Sequence, residues 1–304
     1  FAISFILSII YCDNLVLYFL IELNNIFFMI VWLASYPKSG NTWIRLFFDS
    51  LFISSDKFNI NQNFIKQFPL RSNFHGLTEN VNNQEEFAKY CIPAQQKINS
   101  DKKIRIFKTH NAFWNWNNGK FNFTDENQTL GVIHIIRDPR NVVTSILHYF
   151  NKENYSDAIS FMKENKVLGG AEHEHGLPTI IGSWSNHYKS WRKFKKNNLL
   201  IKYENLLKNP EEEFFKIINF LRNIGNFKFN DQDVLKAIEN CRFNNLSNQE
   251  DVHGFASNTE KNKKLNKKFF NLGPKNKWED ILDNKTRLEI ENLFNKEMVD
   301  MGYL

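Results

Sequence analysis

Two stretches of the chain gather side chains suited to holding anions. The first is Tyr36-Pro37-Lys38-Ser39-Gly40-Asn41-Thr42-Trp43. It follows the apolar run Ile30 to Ala34 and precedes Ile44, Phe47, Phe48 and Leu51, whose spacing puts them on one helix face. A loop between a strand and a helix N-terminus offers backbone N–H groups to an anion. Lys38 adds a point charge there, and Ser39 and Thr42 add hydroxyl donors. GxxxxGK[ST] cannot be matched here, so the loop is not a Walker A motif. The second stretch is Arg137-Asp138-Pro139-Arg140-Asn141-Val142-Val143-Thr144-Ser145. Arg137 ends an apolar strand, Asp138 suits an N-cap and Pro139 suits the first helical turn. Ser145 falls about two turns into that helix. Arginine grips phosphate bidentately and serine adds one hydrogen bond. Taken singly, each stretch also reads as plain structure: a glycine-containing turn, or a surface arginine beside a capped helix.

Strands must carry these loops. Ile30 to Ala34, Ile104 to Phe107, Leu130 to Ile136 and Leu199 to Tyr203 are short apolar runs. Helices are expected after the first loop, from Pro139 to about Phe150, from Ile180 to Lys196, from Pro210 to Asn223, from Asp231 to Cys241 and from Lys285 to Met301. Strands alternating with helices predict an α/β fold with a mostly parallel sheet covered on both faces. Residues 54–100 read as short helices and loops, 111–128 and 151–180 as loops, and 244–276 as a mobile lysine-rich flap.

Composition bounds the function. The chain has 304 residues, and 39 basic against 33 acidic side chains give a net charge of +6. That balance favours an anionic ligand but lacks the dense basic stripe of a nucleic-acid binder. Cys12, Cys91 and Cys241 are too few and too scattered for a disulfide framework, which fits a reducing, cytoplasmic setting. The abundance of Phe and Asn reads as genome bias. His173-x-His175 has metal-ligand character but no evident third ligand. Trp114 and Trp116 fit an acceptor pocket or plain packing equally. Residues 1–28 contain Asp13, Asn14, Glu22, Asn24 and Asn25, which break the apolar runs below membrane-spanning length. No basic n-region or cleavage site marks a signal peptide. The expectation is an upstream segment with the native chain opening at Met29; a membrane anchor or an ordinary packed helix is the alternative.

The two anion-binding stretches together resemble the sulfotransferase superfamily that uses 3′-phosphoadenosine 5′-phosphosulfate (PAPS). YPKSGNTW is similar to that family's 5′-phosphosulfate loop, YPKSGTTW, with Asn41 in place of Thr. Arg137 and Ser145 match the spacing of its 3′-phosphate site. Lys108-Thr109-His110 resembles the KTH segment of the cytosolic branch. Tyr203-Glu204 resembles a strand end beside the adenine, and Phe269-Phe270-Asn271-Leu272-Gly273 through Trp278 resembles the C-terminal FFRKGxxGDW segment. The resemblance runs from Met29 to the C-terminus, so residues 29–304 are expected to form one such domain, and its opening looks like that of bacterial members.

The resemblance implies a three-layer, P-loop-like fold with helical and loop insertions as a lid. It also implies sulfuryl transfer from PAPS to an acceptor hydroxyl, less readily an amine, with 3′-phosphoadenosine 5′-phosphate (PAP) as product and no metal. His110 is then the base, with Lys38 and Lys108 at the transferring group. Lys38, Ser39, Gly40, Asn41, Thr42 and Trp43 hold the nucleotide with Arg137, Ser145, Tyr203, Phe243 and Gly273. The partner expected is a small-molecule or glycan acceptor, not nucleic acid or, unless residues 1–28 are an anchor, a membrane. Two departures stand out: Asn271-Leu272 replaces an Arg-Lys pair on the 3′-phosphate, and Asn276 replaces the motif's second Gly. A Mg²⁺-dependent P-loop phosphotransferase using Asp138, and a non-catalytic sulfonucleotide binder, stay open as alternatives.

Overall fold

The computed structural model describes residues 29–53, 58–116, 118–169, 176–225 and 227–304. Four strands form a parallel sheet: β1 (Ile30–Ser35), β2 (Arg105–Thr109), β5 (Thr129–Ile136) and β8 (Asn198–Lys202), in the order β2-β1-β5-β8. β1 and β5 are buried at every residue, as central strands covered on both faces must be. Alternation along β1 splits its side chains between two cores. Val31 and Leu33 pack with Ile44, Phe47 and Phe214 on one side, whereas Ile30, Trp32 and Ala34 pack with Phe68, Phe74 and Phe87 on the other. A third core forms beneath the helix that follows β5, around Val142, Val143, Ile146 and Met162. The result is the α/β fold with a central parallel sheet that the sequence predicts.

The helices that matter for the site are α1 (Asn41–Phe52), α3 (Pro139–Tyr149), α6 (Tyr203–Lys208), α7 (Pro210–Gly225), α8 (Asp231–Asn240) and α9 (Phe243–His253). Asp138 caps α3 by accepting from the Arg140 N–H, with Pro139 in the first turn.

Several local expectations change. Residues 54–100 contain a 16-residue helix, α2 (Gln84–Asn99), capped by Asn83 and holding Pro93 inside; its polar exposed face and the proline hide its period. β3 (Asn115–Trp116) and β4 (Phe121–Asn122) pair within the stretch read as a loop. The stretch 151–180 holds α4 (Tyr155–Lys163) and part of an antiparallel pair, β6 (Lys166–Leu168) with β7 (Thr179–Gly182). The helix expected from Ile180 starts only at Trp184, because Ser183 caps it through the Asn186 N–H; this is α5 (Trp184–Arg192). The flap is built of α9, α10 (Glu260–Lys264) and a 3₁₀ turn at Gly273–Lys275. α11 (Trp278–Ile281) follows, and the closing helix is two, α12 (Asn284–Leu293) and α13 (Asn295–Met301), broken at Phe294. Residues 1–28, His173 and His175 lie outside the described residues. No helix among the described residues is long and apolar enough to cross a membrane.

Candidate active site

Parallel strands end together, and here each end delivers a candidate residue. Ala34 is level with Thr109, Ser35 with Ile135, and Ile136 with Lys202. The next residues along are Tyr36, His110, Arg137 and Tyr203. Ligands in open α/β sheets bind at these carboxyl ends. A cavity of about 780 Å³ opens there, lined by Lys38, Gly40, Asn41, Thr42, Trp43, Lys108, His110, Arg137, Ser145, Tyr203, Phe243 and Gly273. Ser39 lies behind its wall, with a buried hydroxyl that has no partner among the described residues.

The loop before α1 is tightly constrained. Lys38 has φ 66° and Gly40 has φ 103°, both left-handed, and only glycine adopts that conformation cheaply. A Cβ on Gly40 would stand 2.5 Å from the Tyr203 ring. Arg137 fixes the loop by donating from Nη1 to the Lys38 carbonyl at 3.0 Å. No side chain caps α1, which leaves its first N–H groups to face an anion. The Asn41 side chain takes another course. Its Nδ2 donates to the Leu33 carbonyl at 3.0 Å and to Ser35 Oγ at 3.1 Å, so the amide braces the loop against β1.

His110 is set up as an acceptor of protons. Its Nδ1 lies 2.8 Å from the Ser35 carbonyl. A carbonyl only accepts, so Nδ1 carries the hydrogen and Nε2 keeps its lone pair. Burial, then the charge of Lys108, holds the imidazole well below the usual histidine range and keeps it neutral. Lys38 is pushed down to about 7 by burial and by repulsion from Arg137 and Lys108. Lys108 is pushed down to about 8 by burial and Arg45. The cavity lining contains Lys38, Lys108, Arg137 and Arg242 but no Asp or Glu. Glu239 pairs with Arg242, and the Glu250 carboxylate partly offsets the repulsion on Lys38 from behind the wall, but the lining itself is cationic and gains from an anion.

Aromatic rings organise the rest. The Lys38 ammonium lies 3.9 Å from the Tyr149 ring centroid and 4.2 Å from that of Phe269, a cation–π arrangement. Glu250 holds Phe269 there by accepting from the Phe269 and Phe270 N–H groups at 2.7 and 2.9 Å. Trp43 meets Tyr203 edge-on at 5.9 Å, and the Arg137 guanidinium covers Tyr203 at 4.2 Å. Phe243 presses on Gly273, where a Cβ would stand 2.2 Å from its ring. Trp114 packs against Phe87 and Phe123 and is not part of the cavity lining.

The sequence did not mark Thr144, His148, Tyr149 or Glu250. His148 and Tyr149 could have been found, since they follow Ser145 by three and four residues on one α3 face, whereas Thr144 is its immediate neighbour and shares that spacing only with His148. Glu250 acts across a long loop and leaves no local signal. A buried hub stands beside the site. Arg140 donates to Asp138, to Glu291 at 2.7 Å and to the Tyr303 carbonyl at 3.0 Å. Glu204 closes the hub by accepting from the Asp138 N–H and the Tyr303 hydroxyl, each at 2.9 Å. The Asp138 carboxylate, which a Mg²⁺-dependent phosphotransferase would need, is thus consumed by Arg140.

A parallel α/β sheet with an uncapped, lysine-bearing helix N-terminus at its carboxyl edge defines a P-loop-like, anion-binding protein. Residues 30–302 match the sulfotransferase domain family, and the chain belongs to it. It is similar to dog sulfotransferase 1B1, 28% identical over 224 residues, covering 69% of this chain and 64% of that protein. It is also similar to Arabidopsis thaliana cytosolic sulfotransferase 14, 26% identical over 228 residues, covering 72% and 61%. The chain thus spans less than two thirds of the length of these relatives. Among solved structures, mouse sulfotransferase SULT7A1 complexed with PAP matches with a TM-score of 0.56 at 18% identity, covering 90% of this chain and 85% of that one. Retinol dehydratase in complex with androsterone and PAP gives a TM-score of 0.52 at 17% identity, covering 88% and 80%. These likenesses show the fold.

Proposed function

We propose that the protein transfers the sulfuryl group of PAPS to a hydroxyl of a small-molecule acceptor, as a cytoplasmic enzyme. One observation carries the reading: a neutral histidine with a free Nε2 lone pair shares a cavity with an anion-binding loop and no carboxylate. The residues fit the nucleotide. The buried Nε of Arg137 and Nε1 of Trp43 have no partner among the described residues, which leaves donors for a ligand to satisfy. The PAP complex of the mouse relative supports the same ligand.

In this reading His110 Nε2 accepts the acceptor's hydroxyl proton as the acceptor oxygen bonds to sulfur. The bond from sulfur to the 5′-phosphate oxygen breaks, and Lys38 neutralises the charge left on that oxygen with help from the α1 N–H groups. Lys108 sits one residue before Thr109 and faces the transferring group. A cationic amine would meet Lys38 and Lys108 with no carboxylate in the lining to hold it, which favours a hydroxyl acceptor over an amine. Arg137 and Ser145 take the 3′-phosphate, and Trp43, Tyr203 and Phe243 take the adenine.

Thermal melts test the nucleotide assignment. PAP should raise the melting temperature by mass action, and AMP, lacking the 3′-phosphate, should raise it much less. Equal shifts would remove Arg137 and Ser145 from the 3′-phosphate. Binding should also depend on pH. With its titration pushed down to about 7, Lys38 is roughly nine-tenths neutral at pH 8 and must take up a proton to hold a phosphate. PAP affinity should therefore fall as pH rises from about 7 to 9, with proton uptake visible by calorimetry in buffers of different ionisation enthalpy. A flat affinity over that window contradicts the placement of Lys38.

A further inference from the structure

Ser145 is held by a residue outside its own helix. Its Oγ accepts from Arg137 Nη1 at 3.3 Å and from Asn276 Nδ2 at 3.1 Å. The orientation of the Asn276 amide is set by the Asn141 carbonyl, which can only accept and takes a hydrogen from Nδ2 at 3.1 Å. Thr144 Oγ1, whose one hydrogen is shared between the Asn141 carbonyl at 2.8 Å and Asn276 Oδ1 at 2.7 Å, lies on the other side of the amide. Asn276 is buried, at 7% exposure, and with Thr144 and Ser145 it lines the cavity. A serine oxygen with two donors aimed at it has both lone pairs engaged. Its own hydrogen is then left to donate, and no described residue accepts it. Ser145 can still reach an anion in the cavity with that hydrogen.

We propose that Asn276 is a positioning residue: it locks the Ser145 hydroxyl as a donor and so sets the preference for a nucleotide carrying a 3′-phosphate over one without it. This rests on the nucleotide reading above. The amide acts through Ser145, and its second hydrogen and its oxygen tie the 3₁₀ turn at Gly273–Lys275 to α3. A lysine at this place would add charge without fixing the hydroxyl. The amide adds no charge but removes the wrong rotamer. The chain thereby raises the discrimination supplied by one serine and one arginine where residues 271 and 272 are Asn and Leu.

Calorimetric titration of PAP and AMP against the full chain decides it. In Asn276→Asp a carboxylate accepts from Ser145, turning its hydrogen away from the cavity and adding repulsion. PAP affinity should fall roughly 10–100-fold while AMP affinity stays within about threefold. Asn276→Ala should lower PAP affinity by about 3–10-fold, and should add no further loss in a Ser145→Ala background. A PAP-to-AMP ratio that is unchanged in both Asn276 variants overturns the proposal. So does an equal loss of both ligands, which marks Asn276 as a packing residue only, or full additivity with Ser145→Ala. A native chain that binds PAP no better than AMP fails at an earlier point: it removes the nucleotide reading and takes this proposal with it.

Discussion

His110→Ala should lower the transfer rate by roughly 10²–10⁴-fold, the range for loss of a general base, while PAP affinity stays within about twofold. The asymmetry follows from what the imidazole touches. Its Nδ1–H is spent on the Ser35 carbonyl, so the ring meets the reacting atoms only through Nε2, on the acceptor side. Alanine removes the proton acceptor and the His110 contacts to Ser35, but the Asn41 amide still holds the anion loop to the Leu33 carbonyl and Ser35 Oγ. The rate should also hold steady on the acid side of neutrality, since burial keeps the imidazole well below the usual histidine range. If His110 only closes the end of β2, the variant melts at a lower temperature and each folded molecule turns over at nearly the native rate. Turnover and PAP affinity measured on folded protein separate the two outcomes.

Lys38→Met should damage affinity and rate together. Methionine keeps a similar length and must adopt the same left-handed backbone, so the cost at φ 66° is unchanged and the charge alone is removed. In the proposed reading the ammonium contacts the 5′-phosphosulfate in the ground state, so its loss should weaken PAP binding by roughly tenfold or more. It gains further as charge builds on the departing phosphate, so turnover should fall by an additional factor of roughly 10²–10³. The Tyr149–Phe269 sandwich makes the outcome specific, because those rings accept methionine without clash and the variant should fold. A variant with weaker binding but native turnover would show that Lys38 only anchors the nucleotide, and the developing charge would have to be met by the α1 N–H groups or Lys108.

Much of the frame was legible from local chemistry. Ile30 to Ala34 and Leu130 to Ile136 are continuous apolar runs of strand length, which only a doubly covered sheet can bury, and Asp138-Pro139 marks the start of α3 directly. The α1 loop was legible because Lys38 and Gly40 sit at left-handed turns between a strand and a helix, a geometry that leaves a mark in the residue types. What the sequence hid is non-local or masked by polarity. α2 has a weak apolar face and an internal proline. The segment 244–276 reads as a charged loop because its order comes from single contacts across long separations: Glu250 to the N–H groups of Phe269 and Phe270, and Asn276 to Asn141 and Ser145. Asn41 lines the cavity, as its place in the loop suggests, but its Nδ2 is spent on the Leu33 carbonyl and Ser35 Oγ. Position in a motif constrains the backbone more tightly than it constrains the direction of a side chain.

The hub around Arg140 gives the site an energetic footprint wider than its walls. α12 and α13 contribute nothing to the cavity lining, but Glu291 and Tyr303 reach through Arg140 and Glu204 to Asp138, the residue that follows Arg137. A ligand that stabilises Arg137 should therefore also protect these distant segments from local opening, read as slower amide exchange in α12 and α13. A substitution at Glu291 or Tyr303 would be felt first as a loosened grip on an anion, far from where the change was made.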